Sequence, residues 1–357
     1  MAIWTQILSW ALICSLAQGF IVYAALWLIL KLLPGSSAAT KYKCSLAALS
    51  LLLLWFGLTL RQQLHYVAAG DAFPLSDLST TGAAPLPGTF AGLTAGLPAL
   101  PGLRSVFPYL AAAYLTGLVF MLLRLSGGIR QLAGLRTKGL EMPDAALYES
   151  LQALKLRLQL KRRVRLMVSV RARVPMVIGF LKPVILLPAA SVLNLSATQL
   201  ETILLHELAH IKRQDFLVNM LQTIAETILF FNPFVWLISG IIRREREYCC
   251  DDLVLAHTSE RVSYARALTA LAGLDNAVLA VAATGRPGHL MQRIRRIVEL
   301  KKSPFSYSRI AAAVLILVLI IFTASRVSHS FAMVKSEFIG GTLLSGSTTN
   351  AAGANSE

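Results

Sequence analysis

The chain has 357 residues, of which 55% are hydrophobic, and a mean hydropathy of +0.62. This composition excludes an ordinary soluble domain and indicates a membrane protein. The formal net charge is +16. No helix-turn-helix, zinc-finger or aromatic–basic pattern accompanies that charge, so we expect no direct nucleic-acid partner.

Four segments are long and apolar enough to cross a membrane. The first has no basic residue before Lys31 and no evident cleavage site, which predicts a retained helix rather than a signal peptide. The predicted spans are residues 7–30, 44–60, 107–123 and 310–324. The predicted organisation is three spans within 1–124 with an outer loop at 61–106, a central domain at 125–308, a fourth span at 309–325 and a disordered tail at 326–357.

The basic residues are concentrated in the central domain. Of the 34 Lys and Arg residues, 25 lie between Leu125 and Ser308, where there are 14 acidic residues. The positive-inside rule therefore predicts that the central domain is cytoplasmic, and that both termini and the loop at 61–106 lie outside. The bilayer itself is then a predicted binding partner, because the excess of basic residues also favours contact with anionic lipid.

In the first half of the central domain, the sequence predicts one helix and a small sheet. Residues 151–163 form a basic amphipathic pattern, which fits a helix at the lipid surface or a solvated helix. Residues 164–170, 174–178 and 184–187 are predicted to be short strands. Pro175 suggests a strand at the edge of the sheet, where an extended peptide could bind by strand addition.

The segment LLHELAHIKRQD contains His206, Glu207 and His210 in an HExxH pattern. Residues four apart lie one turn apart on a helix, so both imidazoles can reach one metal ion. Glu207 is placed to take a proton from a metal-bound water rather than to ligate. Ser196 and Gln199 read as a capping box that begins this helix. A buried, structural pair of histidines is the alternative interpretation.

Residues 221–242 are apolar enough to suggest a further span, but we predict a helical hairpin at about 217–242. If they crossed the bilayer, the histidines and the next acidic cluster would lie on opposite sides of the membrane. Asn232 and Pro233 break the segment, and proline cannot continue a helix. The prediction is a hairpin associated with the membrane that returns to the side on which it started, so that the site lies near the inner surface.

A catalytic zinc site needs a third protein ligand, and Glu247 is the preferred candidate. Asp251 lies one turn further along the same predicted helix, where it can orient a ligand histidine from behind. Glu245 points to nearly the opposite side of that helix and is a weaker choice. Asp215 is predicted to be rotated away from His210. Glu226, in an apolar run, is the runner-up.

Other interpretations of this region stay open. Glu247 could instead belong to a solvated acidic face paired with Arg243. The four cysteines show no CxxC spacing, so we interpret them as packing residues without disulfides, as in a reducing compartment. Amphipathic helices are predicted at 264–274 and 290–300. Candidates for stabilising an oxyanion are Tyr248, His257 and a nearby arginine.

The motifs HELAHIKRQD, FNPFVWL, REREYCCDD and YARAL, with PMVIGFLKPVILLP upstream, resemble the BlaR/MecR-type integral-membrane zinc metallopeptidases. The resemblance runs from the first span to the fourth. It implies a multi-pass α-helical protein of a bacterial inner membrane, with an α+β gluzincin-like domain on the cytoplasmic side. It also implies Zn²⁺ on His206, His210 and Glu247, with Glu207 as base and Asp251 behind the ligands.

The resemblance also implies a function in signalling. We expect a signal-transducing endopeptidase that cleaves a cytoplasmic regulator, such as a transcriptional repressor, and also itself. The antibiotic sensors of this family carry a penicillin-binding domain after the fourth span. Residues 326–357 are too few for that domain and contain no SxxK, so a β-lactam signal is not expected. A non-catalytic zinc-containing receptor or scaffold is the alternative, and a homodimer is left open.

Overall fold

The computed structural model describes residues 2–32, 35–68, 103–179, 181–274 and 288–299. The chain divides into two compact units. Nearly all the described elements belong to the first unit, which comprises Met1–Trp27, Gly35–Asp71 and Arg104–Phe305. Of the second unit, the structure describes residues 28–32 and 103. The predicted fourth span and the tail lie outside the described residues.

Three long apolar helices correspond to the first three predicted spans. They are α1 (Ala2–Leu32), α2 (Ala38–Ala68) and α3 (Leu103–Thr137). Each contains a stretch that is long and apolar enough to cross a membrane. The helices extend beyond the predicted spans, since α2 continues through residues 61–68, which were assigned to the outer loop, and α3 continues to Thr137. No proline interrupts residues 61–68, so the helix does not stop where hydropathy falls.

A four-stranded sheet follows α3. Its strands are β1 (Leu140–Glu141), β2 (Arg165–Ser169), β3 (Met176–Ile178) and β4 (Val184–Pro188), in the order β1-β2-β4-β3. β2 and β4 are parallel, whereas β1 and β3 are antiparallel to their neighbours. The central strand β4 is buried along its whole length. β3 is an edge strand directly after Pro175, which confirms the predicted edge position.

The predicted amphipathic helix at 151–163 differs in both bounds and setting. It is α4 (Ala145–Arg157), and the chain leaves the helix before Gln159, which has a φ of 53°. Leu151, Leu154 and Leu158 are buried in the main hydrophobic core with residues of the HExxH helix. The apolar face of α4 is therefore covered by the protein core, while the opposite face is exposed. An amphipathic period shows that one face is covered, but not by what.

The HExxH segment forms a helix buried on nearly every side. After the short α5 (Ala189–Asn194), α6 (Ala197–Arg213) begins with Ser196 as its cap. The Ser196 side chain accepts from the Gln199 backbone N–H while the Gln199 side chain accepts from that of Ser196, which confirms the predicted capping box. The apolar positions Leu200, Ile203, Leu204 and Leu208 lie in the core.

The next two helices form the predicted helical hairpin. They are α7 (Asp215–Ile228) and α8 (Pro233–His257), joined by residues 229–232. Asn232 is fully buried, accepts from the Phe234 N–H as the cap of α8, and donates to the Ser15 carbonyl of α1 over 2.8 Å. The tip of the hairpin is therefore bound to α1, one of the helices long and apolar enough to cross a membrane.

Two glycines make room for this tip. A Cβ at Gly19 of α1 would lie 2.8 Å from the Asn232 side chain. A Cβ at Gly117 of α3 would overlap the Phe230 ring. Both contacts are closer than real Cβ atoms allow, so any larger residue at either position would force the Asn232 or Phe230 side chain to shift. The chain continues with α9 (Arg261–Leu274) and α10 (Gly288–Glu299), close to the predicted helices.

Candidate metal centre

His206 and His210 lie one turn apart on α6, with ring centroids 4.9 Å apart and planes nearly perpendicular. Glu247 approaches them from α8, because the hairpin returns the chain to this point. One carboxylate oxygen of Glu247 lies 3.5 Å from His206 Nε2, and the other lies 4.0 Å from His210 Nε2. The three sequence-predicted ligands are therefore brought together by two helices.

The spacing of these atoms fits a zinc ion. The three ligand atoms all lie within 4.8 Å of one another. Zinc bonds of about 2.0–2.1 Å place tetrahedral ligands about 3.4 Å apart, so small adjustments close the site. Two imidazoles and one carboxylate are also one of the donor sets found in catalytic zinc sites. The residues present thus fit the metal.

The far side of each imidazole is held by a hydrogen bond. His210 Nδ1 lies 2.8 Å from Asp215 Oδ2. His206 Nδ1 lies 2.9 Å from the Tyr264 hydroxyl, which itself lies 2.6 Å from Asp251 Oδ1. In the tautomer that these acceptors favour, each Nδ1 carries the proton and each Nε2 lone pair faces Glu247. The surroundings therefore prepare both histidines to ligate.

The prediction for Asp215 was wrong. The prediction treated α6 as continuing through Asp215, which would turn its side chain away from His210. Instead, Gln214 adopts a left-handed conformation with a φ of 58°, and Asp215 begins α7. This single residue resets the helix register and turns the Asp215 carboxylate back to His210.

Asp251 lies behind His206, as predicted, but it acts through an intermediary. Its nearest oxygen is 3.6 Å from His206 Nδ1, with the Tyr264 hydroxyl within hydrogen-bonding distance of both. Arg293 of α10 donates two hydrogen bonds to Asp251, at 3.0 and 2.8 Å. The buried Asp251 carboxylate is thus neutralised while it fixes Tyr264.

The weaker acidic candidates have other partners. Glu245 is buried and pairs with Arg244 at 3.2 Å. Glu226 pairs with Arg243, so Arg243 is not the partner of Glu247 that the alternative interpretation required. Glu247 instead lies 3.2 Å from Arg293 Nη1. Neither Glu245 nor Glu226 lies in the group that could hold a metal ion.

Glu207 faces a cavity of about 670 Å³ beside the ligands. Burial raises the pKa of the Glu207 carboxyl above its ordinary value, although His210 and His206 oppose the rise. For Glu247, burial acts in the same direction, but its contacts with His206, His210 and Arg293 hold its pKa below the ordinary value. The two carboxyls thus differ in the way that a base and a ligand should.

The cavity has an apolar wall and a strand along one side. Met176 and Val177 of the edge strand β3 line it, together with Leu268 and Leu271 of α9. Arg246 and Arg293 are among its polar residues. An extended peptide paired with β3 would therefore pass the three ligands.

The geometry distinguishes among the candidates for stabilising an oxyanion. Tyr248 bonds to Gln292 at 3.2 Å on the exposed side of α8. His257 Nδ1 bonds to the Leu253 carbonyl near the end of α8. Neither residue lines the cavity, whereas Arg293 does.

All four cysteines are free, as predicted. Cys250 is buried beside His210, with its sulfur 3.4 Å from Nδ1 and 3.5 Å from Asp215 Oδ2. His210, Asp215 and Cys250 are thus a second group close enough to hold a metal. His210 Nδ1 and Asp215 Oδ2 lie only 2.8 Å apart, which leaves no room for an ion between them. Burial also raises the pKa of the Cys250 thiol to about 11. This group is better described as a hydrogen-bonded support.

Tyr264 and Arg293 are the site residues that sequence reasoning missed. Tyr264 lies 58 positions from His206 and Arg293 lies 42 from Asp251. No local spacing connects positions so far apart. The YARAL motif, which contains Tyr264, was the one available signal.

Tyr264→Phe should weaken zinc binding by about tenfold, because His206 loses the group that fixes its tautomer. The Asp251–Arg293 pair remains, so the fold should be kept. Dissociation constants from competition with a chromophoric chelator would measure the effect. Tyr248→Phe, which removes an exposed hydroxyl from α8, is the matched control and should bind zinc as the wild type does. Equal affinities in all three proteins would remove Tyr264 from the site.

Comparison with known proteins places these residues in a family context. A family model described as BlaR1 peptidase M56 matches residues 98–297, which is more than half of the chain. The regulatory protein BlaR1 of Bacillus licheniformis is 38% identical over 81 residues, or 23% of this chain and 13% of that protein. The methicillin resistance mecR1 protein of Staphylococcus aureus is 31% identical over 127 residues, or 35% of this chain and 21% of that protein. The matched regions thus span well under two thirds of these relatives.

Proposed function

Because the chain belongs to the BlaR1 peptidase M56 family, we propose that it is a membrane-embedded zinc endopeptidase of the gluzincin type. The observation that supports this most strongly is the convergence of His206, His210 and Glu247 beside Glu207, in one cavity bordered by an edge strand. A structural histidine pair would need neither a third ligand nor a buried carboxylate in the same cavity.

The proposed reaction is hydrolysis of a peptide bond. When bound, zinc supplies an activated water molecule and polarises the scissile carbonyl. Glu207 accepts a proton from the attacking water and passes it to the amine nitrogen as the C–N bond breaks. Burial raises the pKa of the Glu207 carboxyl above its ordinary value, which makes it a better proton carrier in both directions. Arg293 is the cation that we place beside the developing oxyanion.

The substrate is bound as an added strand. β3 offers the free edge of the sheet, and the apolar residues of α9 on the cavity wall would receive a neighbouring side chain. Val177 and Leu268 belong to two separate elements that border the cavity, so a peptide between them is fixed on both sides.

The biological role that we propose is signal transduction across a bacterial inner membrane. The basic central domain would face the cytoplasm, with the hairpin of α7 and α8 associated with the bilayer. The substrate would then be a cytoplasmic regulator, such as a transcriptional repressor, and also the chain itself. The proposal draws on the charge distribution and on the regulatory name of the BlaR1 relative.

Removal of the metal tests the enzymatic part of the proposal. The purified full-length chain in detergent should contain about one zinc ion and cleave proteins of a bacterial extract. Dialysis against a chelator should abolish that cleavage, and added zinc should restore it. New peptide ends identified by mass spectrometry would provide substrate candidates. Retained zinc without cleavage of the extract or of the chain itself would favour the alternative, a zinc-containing receptor or scaffold that signals by contact.

A further inference from the structure

The two oxygens of the Asp215 carboxylate face different parts of the molecule. Oδ2 binds His210 Nδ1 at 2.8 Å. Oδ1 accepts a hydrogen bond from the Tyr42 hydroxyl at 3.5 Å and lies 3.4 Å from Arg213 Nε. One buried side chain therefore contacts a candidate metal ligand on one side and a separate pair of groups on the other.

Tyr42 belongs to α2, one of the three helices long enough to cross a membrane. It is only 8% exposed, and the Arg213 guanidinium lies over its ring at 4.9 Å from the centroid. α2 packs along α8 and also contacts α7. The position of Tyr42 is thus set by the packing of a whole helix rather than by a mobile side chain.

We propose that Tyr42 is a positioning residue for His210, and that it connects membrane helix α2 to the metal centre through Asp215. The inference rests on the proposed function, since it assumes that His210 binds a metal. Tyr42 touches neither the metal nor the cavity. It acts by holding the Asp215 carboxylate in the place where that carboxylate orients the imidazole.

The geometry makes this connection sensitive to small movements. The 3.5 Å between the Tyr42 hydroxyl and Asp215 Oδ1 exceeds the roughly 2.5–3.0 Å of a strong O–H···O hydrogen bond, so a shift of α2 by a few tenths of an ångström strengthens or breaks this contact. Arg213 touches both Tyr42 and Asp215, so the arginine and the carboxylate respond together. A displacement of α2 in the membrane therefore changes how firmly Asp215 supports His210.

The test measures metal binding and not proteolysis. Tyr42→Phe removes the hydroxyl and should weaken Co²⁺ and Zn²⁺ binding about threefold. Tyr42→Ala also removes the ring beneath Arg213 and should weaken binding about tenfold. The visible spectrum of the Co²⁺ protein should change in both, because it reports the orientation of the imidazole ligands. Tyr114→Phe is the control, since its hydroxyl bonds to the Ile228 carbonyl at the other end of α7.

A double-mutant cycle separates a route through Asp215 from general loss of packing. In an Asp215→Ala background, or Asp215→Asn if alanine does not accumulate, the substitutions at Tyr42 should have no further effect on affinity or spectrum. Additive effects would overturn the proposal, as would wild-type affinity in both Tyr42 variants. A wild-type protein that binds neither ion would instead overturn the metal centre itself, which distinguishes the two failures.

Discussion

Replacing Glu207 with Gln should leave zinc bound while lowering the rate of peptide hydrolysis by about a thousandfold. The substitution keeps the size and shape of a side chain that is only 7% exposed. Glu207 lines the cavity but does not belong to the group that could hold a metal ion. The substitution therefore removes a carboxylate without removing a proposed ligand. An amide cannot accept the proton of the attacking water, so the chemical step should fail while the metal site stays intact.

The measurement pairs zinc content with turnover of a peptide derived from an observed cleavage site. Glu201→Gln provides a matched control, because Glu201 is exposed on the same helix, α6. It should match the wild type in both zinc content and rate. Undiminished turnover in the Glu207→Gln protein would remove Glu207 as the base and, with it, the proposed mechanism.

Glu247→Ala should abolish stoichiometric zinc binding, whereas Glu245→Ala should not. The Glu247 carboxylate is the acidic group nearest to both His206 Nε2 and His210 Nε2 among the described residues. Its loss leaves two ligands, too few for a catalytic zinc site. Zinc affinity should fall by more than the roughly 10- to 100-fold that follows loss of a supporting hydrogen bond. Metal analysis after gel filtration gives the readout.

Glu245→Ala is a demanding control because Glu245 is buried on the same helix and paired with Arg244. Arg244 is partly exposed, so water can solvate it when its partner is removed. Thermal unfolding of both variants shows whether either substitution perturbs the fold. Equal zinc retention in the two proteins would exclude Glu247 as the third ligand.

The features that sequence reasoning predicted well depend on neighbours along the chain. The capping box needs only Ser196 and Gln199, and the HExxH pattern needs only the period of a helix. The hairpin followed from Pro233, since proline ends one helix and begins the next. The edge position of β3 followed from Pro175, because proline has no N–H to donate to a neighbouring strand.

The features that it missed depend on single-residue geometry or on distant contacts. Asp215 was misplaced because Gln214 adopts a left-handed conformation that no pattern in the sequence required. Tyr264 and Arg293 reach the centre from helices far along the chain, where periodicity indicates a buried face without naming its partner. For α4 the amphipathic period likewise indicated a buried face without showing that the protein core covers it.

The glycine contacts at the tip of the hairpin decide whether the domain with the candidate metal centre can fold without α1 and α3. Gly19 and Gly117 admit Asn232 and Phe230 to the surfaces of α1 and α3, while the other end of the same hairpin delivers Glu247. A fragment that began after α3 would keep every proposed ligand but would leave the buried Asn232 without its partner on α1. The domain that carries the candidate metal centre is therefore not separable from α1 and α3, because contacts with these helices complete the packing of the hairpin that carries Glu247.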